Sequence, residues 1–373
     1  MKVGAGQRQP ERILLIRLSA IGDIVFASPL IATVRQRWPQ ASIAWLAQPD
    51  CAPLLQHHPD LDEIIPWPLP HWRDLWRKRR FMQLLKELRA ARRALRARRF
   101  DLALDLQGLL KSALPAWLSG ASERIGLGSR EGGSLLMTRV LDRGPDRAQI
   151  SSEYHHLAQS LALPTDRFRL ALYPGQEAAA AAEALIGEQG LASGFAVICP
   201  FTTRAQKHWL AERWPTLAAQ IRQRFGLPTL MLGGPGDCVA AAEITTLAGG
   251  RIINLVGQTS LLTAAALIER ARLLVGVDTG LSHMGIAFER PTVLLFGSTC
   301  PYTETGTANA RVLYHRRDCS PCRRRPTCDG AFSCMRDIEV DEVMATLADL
   351  DERAGLVKPI DRDDLADQSA NRA

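Results

Sequence analysis

No apolar run in this chain approaches the ~20 residues that a bilayer-spanning helix needs. The first such run, Ile13 to Ile16, is also too short for the core of an export signal, so the chain is expected to stay in the cytoplasm. Its eight cysteines do not argue otherwise, because nothing points to an oxidising compartment. Helix-turn-helix, RNA-stacking and zinc-finger patterns are missing, which leaves a nucleic-acid partner without a motif to carry it. Acidic residues are scarce in one place above all. Across residues 71–99 only Asp74 and Glu87 oppose twelve Lys and Arg, so the segment carries +10 while the whole chain carries +7. Phe81, Leu84, Leu85, Leu88, Ala91 and Leu95 recur there at helical spacing, which predicts an amphipathic basic helix. Such a face suits nucleic acid, an anionic membrane or an acidic substrate, or else it is a solvated face with no partner.

What is present describes an ordinary globular chain: 373 residues, 46% hydrophobic and 23% charged, long enough for two domains. A strand over Arg12–Arg17, a loop at Ser19–Asp23 and a helix over Ile24–Trp38 open a βαβ rhythm. Strands at Ser42–Ala47, Glu63–Pro66 and Leu102–Leu106 continue it. Residues 164–193 lack strand signals and hold an alanine-rich helix (177–186), which places the domain boundary there. The rhythm resumes with strands at 195–199, 229–232 and 252–255, helices at 213–225 and 260–271, and a last helix at 340–350. The expected fold is therefore α/β, with two Rossmann-like doubly wound domains facing across a cleft, at 12–170 and 190–350. Residues 1–11 and 355–373 are expected to be disordered tails.

The most informative stretch is Leu273-Leu-Val-Gly-Val-Asp-Thr-Gly-Leu-Ser-His283. A buried parallel strand ends at Val277, Asp278-Thr279-Gly280 breaks it, and a helix follows over 281–288. In an open α/β sheet that junction lies at the carboxyl edge of the strands, where free helix N–H groups meet anions. A capped helix start, with Asp278 or Thr279 satisfying the first turn, is the simpler alternative.

Four motifs, in order, carry a family resemblance: Ile-Arg-Leu-Ser-Ala-Ile-Gly-Asp (16–23), Asp-Leu-Gln-Gly-Leu-Leu-Lys-Ser (105–112), Thr-Thr-Arg-Ala-Gln-Lys-His-Trp (202–209) and Val-Asp-Thr-Gly-Leu-Ser-His (277–283). Over residues 12–350 the chain resembles glycosyltransferase family 9, the heptosyltransferases that build the inner core of lipopolysaccharide, and its motifs look more like the first of these enzymes than the second. The resemblance implies a GT-B architecture, an N-terminal acceptor domain and a C-terminal nucleotide-sugar domain. It also implies inverting transfer of heptose from ADP-heptose to keto-deoxyoctulosonate–lipid A, without a resident cofactor. No D-x-D pair sits in a loop where it would hold a metal between donor phosphates, in keeping with metal-independent transfer.

Such a transfer needs a base for the acceptor hydroxyl and positive charge where the diphosphate leaves. The matching family aspartate is the general base, and Asp23 takes that place; helix capping is its alternative role. Lys207, with Thr202 and Thr203 beside it, falls on the diphosphate. Thr279, Gly280, Leu281 and His283 match the nucleotide-sugar site, and Asp278 would orient the sugar or the loop. Asp237, after Gly233-Gly-Pro-Gly, falls near the donor ribose, where some members have a glutamate. His283 could equally be a buried helix histidine. Ser19, Arg73, Gln107, Lys111 and Arg130 are the acceptor-side candidates, the cations because charge-assisted bonds to carboxylate and phosphate are strong. The basic segment would then dock on the anionic surface of the inner membrane, on its cytoplasmic face, with no nucleic acid involved. Cys319, Cys322, Cys328 and Cys334 have the ligand count of a structural zinc site but only one C-x2-C pair, so zinc, disulfides and plain thiols all stay open. Cys51, Cys199, Cys238 and Cys300 are expected as scattered core or loop residues.

Overall fold

The computed structural model describes residues 9–146, 148–299, 302–322 and 325–354. They divide into two compact units. The first runs to residue 146 and takes in Ser151–Tyr173; the second holds Ala148–Ile150 and everything described from Pro174 onward. The expected terminal tails lie outside the described residues, except for residues 9–11.

The first unit contains strands β1 (Arg12–Ile16), β2 (Ser42–Ala47), β3 (Glu63–Pro66), β4 (Leu102–Asp105), β5 (Glu123–Leu127) and β6 (Arg139–Leu141). All are parallel, in the order β3-β2-β1-β4-β5-β6. Side chains of β1 alternate between two cores. Ile13 and Leu15 join Trp45, Leu104 and Tyr154 on one face, and Leu14 and Ile16 join Leu46, Trp72 and Ala103 on the other. Burial on both faces is what makes these strands apolar without a break.

The second unit contains β7 (Ala196–Cys199), β8 (Thr229–Met231), β9 (Ile252–Asn254), β10 (Leu273–Val277), β11 (Thr292–Phe296) and β12 (Ala310–Tyr314). Its order, β9-β8-β7-β10-β11-β12, is the same third-second-first-fourth-fifth-sixth arrangement. Each unit therefore reverses its winding between its first and fourth strands, and that reversal opens a crevice at their carboxyl ends. In the first unit the crevice lies beside the loops after β1 and β4, and in the second beside the loops after β7 and β10. Among the described residues no helix is long and apolar enough to cross a membrane.

Two expected helices are each split. The one predicted over Ile24–Trp38 is two helices, Ile21–Ala27 and Pro29–Arg37. Pro29 has no N–H for the Val25 carbonyl four residues back, and the Ser28 hydroxyl donates to that oxygen instead at 2.7 Å. The basic segment is likewise two helices, Leu69–Arg77 and Phe81–Ala97. The first ends on Arg79 in the left-handed region (φ 57°), with the Arg80 N–H returning to the Leu75 carbonyl at 2.9 Å. That closing geometry usually takes glycine, so an arginine there leaves no signal in the sequence.

Candidate active site

The chemistry-bearing residues gather at the two crevices, each within its own unit. In the first unit, Arg17 follows the last residue of β1 and is only 7% exposed. Its Nη2 lies 2.5 Å from Asp23 Oδ2, and its Nη1 donates to the Leu106 carbonyl at 3.3 Å. Asp23 sits in the first turn of the helix at Ile21–Ala27, and the same Oδ2 accepts from the Ala20 N–H at 3.0 Å. Asp23 therefore caps its helix and pairs with Arg17 through one oxygen, while its side chain remains 41% exposed.

The loop after β4 closes the same crevice. Buried Asp105 accepts from the N–H groups of Gln107 and Gly108 through Oδ1, at 3.0 and 3.1 Å. Burial pushes its carboxyl above the usual range. Gly108 has φ +65°, and a Cβ there would meet the Leu127 carbonyl oxygen at 2.2 Å, so only glycine makes this turn. Gln107 turns inward, with Oε1 accepting from the Leu18 N–H at 3.1 Å, which ties the β1 and β4 loops together. Lys111 is half-buried, and burial followed by the charges of Arg73 and Arg17 pulls its ammonium below the ordinary value. Arg73 is exposed on the helix at Leu69–Arg77, close enough to act on Lys111. Arg130 is exposed, its N–H bonded to the Gly108 carbonyl. Ser19 is half-buried in the loop before Asp23.

In the second unit Asp278 is the hub. Its Oδ2 accepts from Lys207 Nζ at 2.6 Å and from the Thr299 hydroxyl at 2.5 Å, and its Oδ1 accepts from His283 Nε2 at 3.2 Å. The His283 Nδ1 in turn lies 2.9 Å from the Tyr302 hydroxyl. Burial pushes the Asp278 carboxyl upward, but His283 and Lys207 outweigh burial and hold it well below the usual carboxylate range. Gly276 in β10 makes room for this: a Cβ there would lie 2.0 Å from Ser282 Oγ and 2.9 Å from Cys199 Cβ. Thr279 is the extended residue before the helix at Gly280–Ala287, and its side chain makes no cap. Among the described residues neither Asp278 nor Thr279 caps the first turn through its side chain, which leaves N–H groups there for an anion.

The remaining donor-side residues are arranged around this hub or apart from it. Thr202 and Thr203 lie in the loop after β7, half-buried and exposed, with the Thr202 carbonyl 2.8 Å from His208 Nε2. Gly280 and Leu281 form the start of the helix. His283 is 3% exposed, a buried helix histidine that is also bonded to Asp278. Asp237 follows β8, on the far side of β7 from β10, and its carboxylate accepts from the Gly234 N–H at 2.8 Å.

Arg17, Thr299 and Tyr302 escaped the sequence reading. Arg17 had a signal, a charge directly at the end of an apolar strand. Thr299 had a weaker one, a hydroxyl just past β11 at the same sheet edge, and Tyr302 had none.

The zinc reading finds no support. Among the described residues no group of three or more His, Cys, Asp or Glu is arranged to hold a metal ion, and Cys319, Cys322, Cys328 and Cys334 are free thiols. Cys334 is part of the second unit's apolar core, beside Met335 and Ile338. Cys51 and Cys199 are buried, Cys238 is exposed, and Cys300 lies outside the described residues.

Known proteins resemble the chain along most of its length. The chain is 28% identical to lipopolysaccharide heptosyltransferase 1 of Salmonella typhimurium strain LT2 over 299 residues, covering 78% of this chain and 89% of that protein. It is 29% identical to lipopolysaccharide heptosyltransferase 2 of Escherichia coli K12 over 360 residues, covering 90% and 97%. The solved structure of the E. coli ADP-heptose lps heptosyltransferase II superposes with a TM-score of 0.71 at 27% identity, covering 92% of this chain and 99% of that one, so the two units form a GT-B fold. Residues 88–331 match glycosyltransferase family 9 (heptosyltransferase), and the chain belongs to that family of transferases.

Proposed function

We propose that this protein transfers heptose from ADP-heptose to the keto-deoxyoctulosonate–lipid A inner core of lipopolysaccharide, with inversion at the anomeric carbon. One observation carries the reading. In a family 9 chain, Lys207 is held at the β7/β10 crevice beside an uncapped helix start, as a leaving diphosphate requires. The ammonium and the N–H groups of Gly280 onward stabilise the departing charge, with the hydroxyls of Thr202, Thr203 and Thr279 as further donors. Asp237 reaches the donor ribose in this reading.

The acceptor is bound by the N-terminal unit and the donor by the C-terminal unit. Asp23 accepts the acceptor hydroxyl proton, the oxygen attacks the anomeric carbon, and the bond to the diphosphate breaks with its electron pair leaving on ADP. Ser19, Arg73, Gln107, Lys111 and Arg130 serve the acceptor, whose carboxylates and phosphates suit Arg73 and Lys111. The enzyme works at the cytoplasmic face of the inner membrane. Trp76, Phe81 and Met82 are exposed beside Lys86, Arg89, Arg92 and Arg93, which have no carboxylate partner among the described residues. That combination lets a helix lie on anionic lipid.

The test is transfer from ADP-heptose to deacylated keto-deoxyoctulosonate–lipid A, with EDTA present, comparing wild type with Asp23→Ala. Turnover that survives EDTA and disappears in the variant supports the base and metal-independent chemistry. The 29% identity to a heptosyltransferase 2 along nearly its whole length favours a second reading, addition to an acceptor that already carries heptose. Turnover only on that heptosylated acceptor would establish it, and failure to bind ADP-heptose would sink both.

A further inference from the structure

Arg17 is the best-buried cation beside the first crevice, and its guanidinium is spent on few partners. Nη2 holds Asp23, Nη1 holds the Leu106 carbonyl, and buried Nε has no hydrogen-bond partner among the described residues. The arginine is itself anchored, because its carbonyl accepts from Trp45 Nε1 at 3.2 Å and its strand is central in the sheet. It therefore cannot follow a mobile carboxylate; the carboxylate must come to it. The two polar contacts that Asp23 makes both fall on Oδ2: the ion pair with Arg17 and the hydrogen bond from the Ala20 N–H. Oδ1 receives none.

We infer that Arg17 is a positioning residue for the reaction: it clamps Oδ2 of Asp23 so that Oδ1 alone is presented, in a fixed direction, to the acceptor hydroxyl. The inference rests on the reading of Asp23 as the base. The proton passes from the acceptor oxygen to Oδ1 as that oxygen bonds to the anomeric carbon and ADP departs. Arg17 touches neither substrate. A base free to swing would spend its orientation at each turnover, whereas a clamped one has it already.

The experiment measures steady-state transfer from ADP-heptose by the full chain, with Arg17→Met, Arg17→Lys, Asp23→Asn and the Arg17→Met/Asp23→Asn double variant. Arg17→Met should lower kcat about 30-fold, with the KM for ADP-heptose within about twofold of wild type. Arg17→Lys restores a charge and a donor and should recover most of that loss. In the Asp23→Asn background Arg17→Met should cost nothing further, because residues that act as one unit do not add. A kcat for Arg17→Met within about threefold of wild type would overturn the clamp. So would a loss that multiplies with that of Asp23→Asn, or one that Arg17→Lys does not relieve while the thermal midpoint is unchanged. If Asp23→Asn itself retains wild-type kcat, the base assignment fails first, whatever Arg17 does.

Discussion

Lys207 and Asp278 lie 71 residues apart in sequence, and Nζ of one sits 2.6 Å from Oδ2 of the other, across the gap between the loops after β7 and β10. On the proposed reading this pair would hold the lysine in place before any phosphate arrives, and an incoming diphosphate would exchange one anionic partner for another. Removing the ammonium with Lys207→Met should therefore lower kcat by about 10²–10³-fold. Single-turnover rates with saturating donor would check this, and a kcat close to wild type would discard the lysine's role.

Asp278→Asn leaves Lys207 and His283 beside a neutral amide in a buried site. Loss of one partner from such a pair costs about 3–5 kcal/mol, visible as a lower thermal midpoint. The pH dependence has a definite sign. A carboxyl held below its ordinary value stabilises the fold above the unfolded pKa and loses that contribution as pH falls from about 4 toward the folded value. The midpoint gap between wild type and Asp278→Asn should be full at pH 6 and should narrow below pH 4.

His58 makes a second pH prediction with the opposite chemistry. Burial lowers its imidazole to about 4, and its Nδ1 accepts from the Asp60 N–H at 3.2 Å, which requires the neutral ring. Between pH 6.5 and 4 the unfolded chain binds the proton that the folded one refuses, so stability falls as pH drops through that window. His58→Gln should flatten wild type's decline in urea midpoint between pH 7 and 4.

Gly276→Ala would drive a methyl into Ser282 and Cys199 at the root of the loop after β10. Overpacking of this kind costs about 1–3 kcal/mol, and the shift of the Gly280–Ala287 helix should raise the KM for ADP-heptose as well. Calorimetry and donor titration together would separate the two effects.

Reversing Arg89, Arg92 and Arg93 to glutamate should abolish sedimentation with anionic vesicles while leaving turnover on a deacylated, soluble acceptor within about twofold. Wild-type binding that persists at 1 M salt would count against the lipid surface.

The two sheets were legible because strands buried on both faces write themselves as uninterrupted apolar runs; β2 and β3 have the bounds that the sequence suggests. β5, β6 and β12 were not. β6 is three residues long and mostly exposed, and Arg-Val-Leu carries no period to detect. Helix ends were missed where the signal was chemical rather than periodic: the Ser28 hydroxyl substitutes for a missing N–H, and Arg79 takes a glycine's conformation. At the candidate site, Asp278 and His283 stood out in one short motif. Thr299 and Tyr302 reach the same hub only through the parallel pairing of β10 with β11, a relation that no local pattern encodes.

The chain passes between its units three times, since 148–150 pair with the second unit through Gln149 and Glu304 before 151–173 return to the first. Tyr154, Leu157, Ala158 and Leu163 on that returning segment are buried in the first unit's core. A fragment ending at residue 147 would thus be born without part of its interior, although the last strand has already been made. The natural seam for exchanging halves with a relative is Tyr173–Pro174. A chimera joined there inherits the first unit's sheet complete with its packing, and its 148–150 must pair anew with the partner's residues 303 and 304.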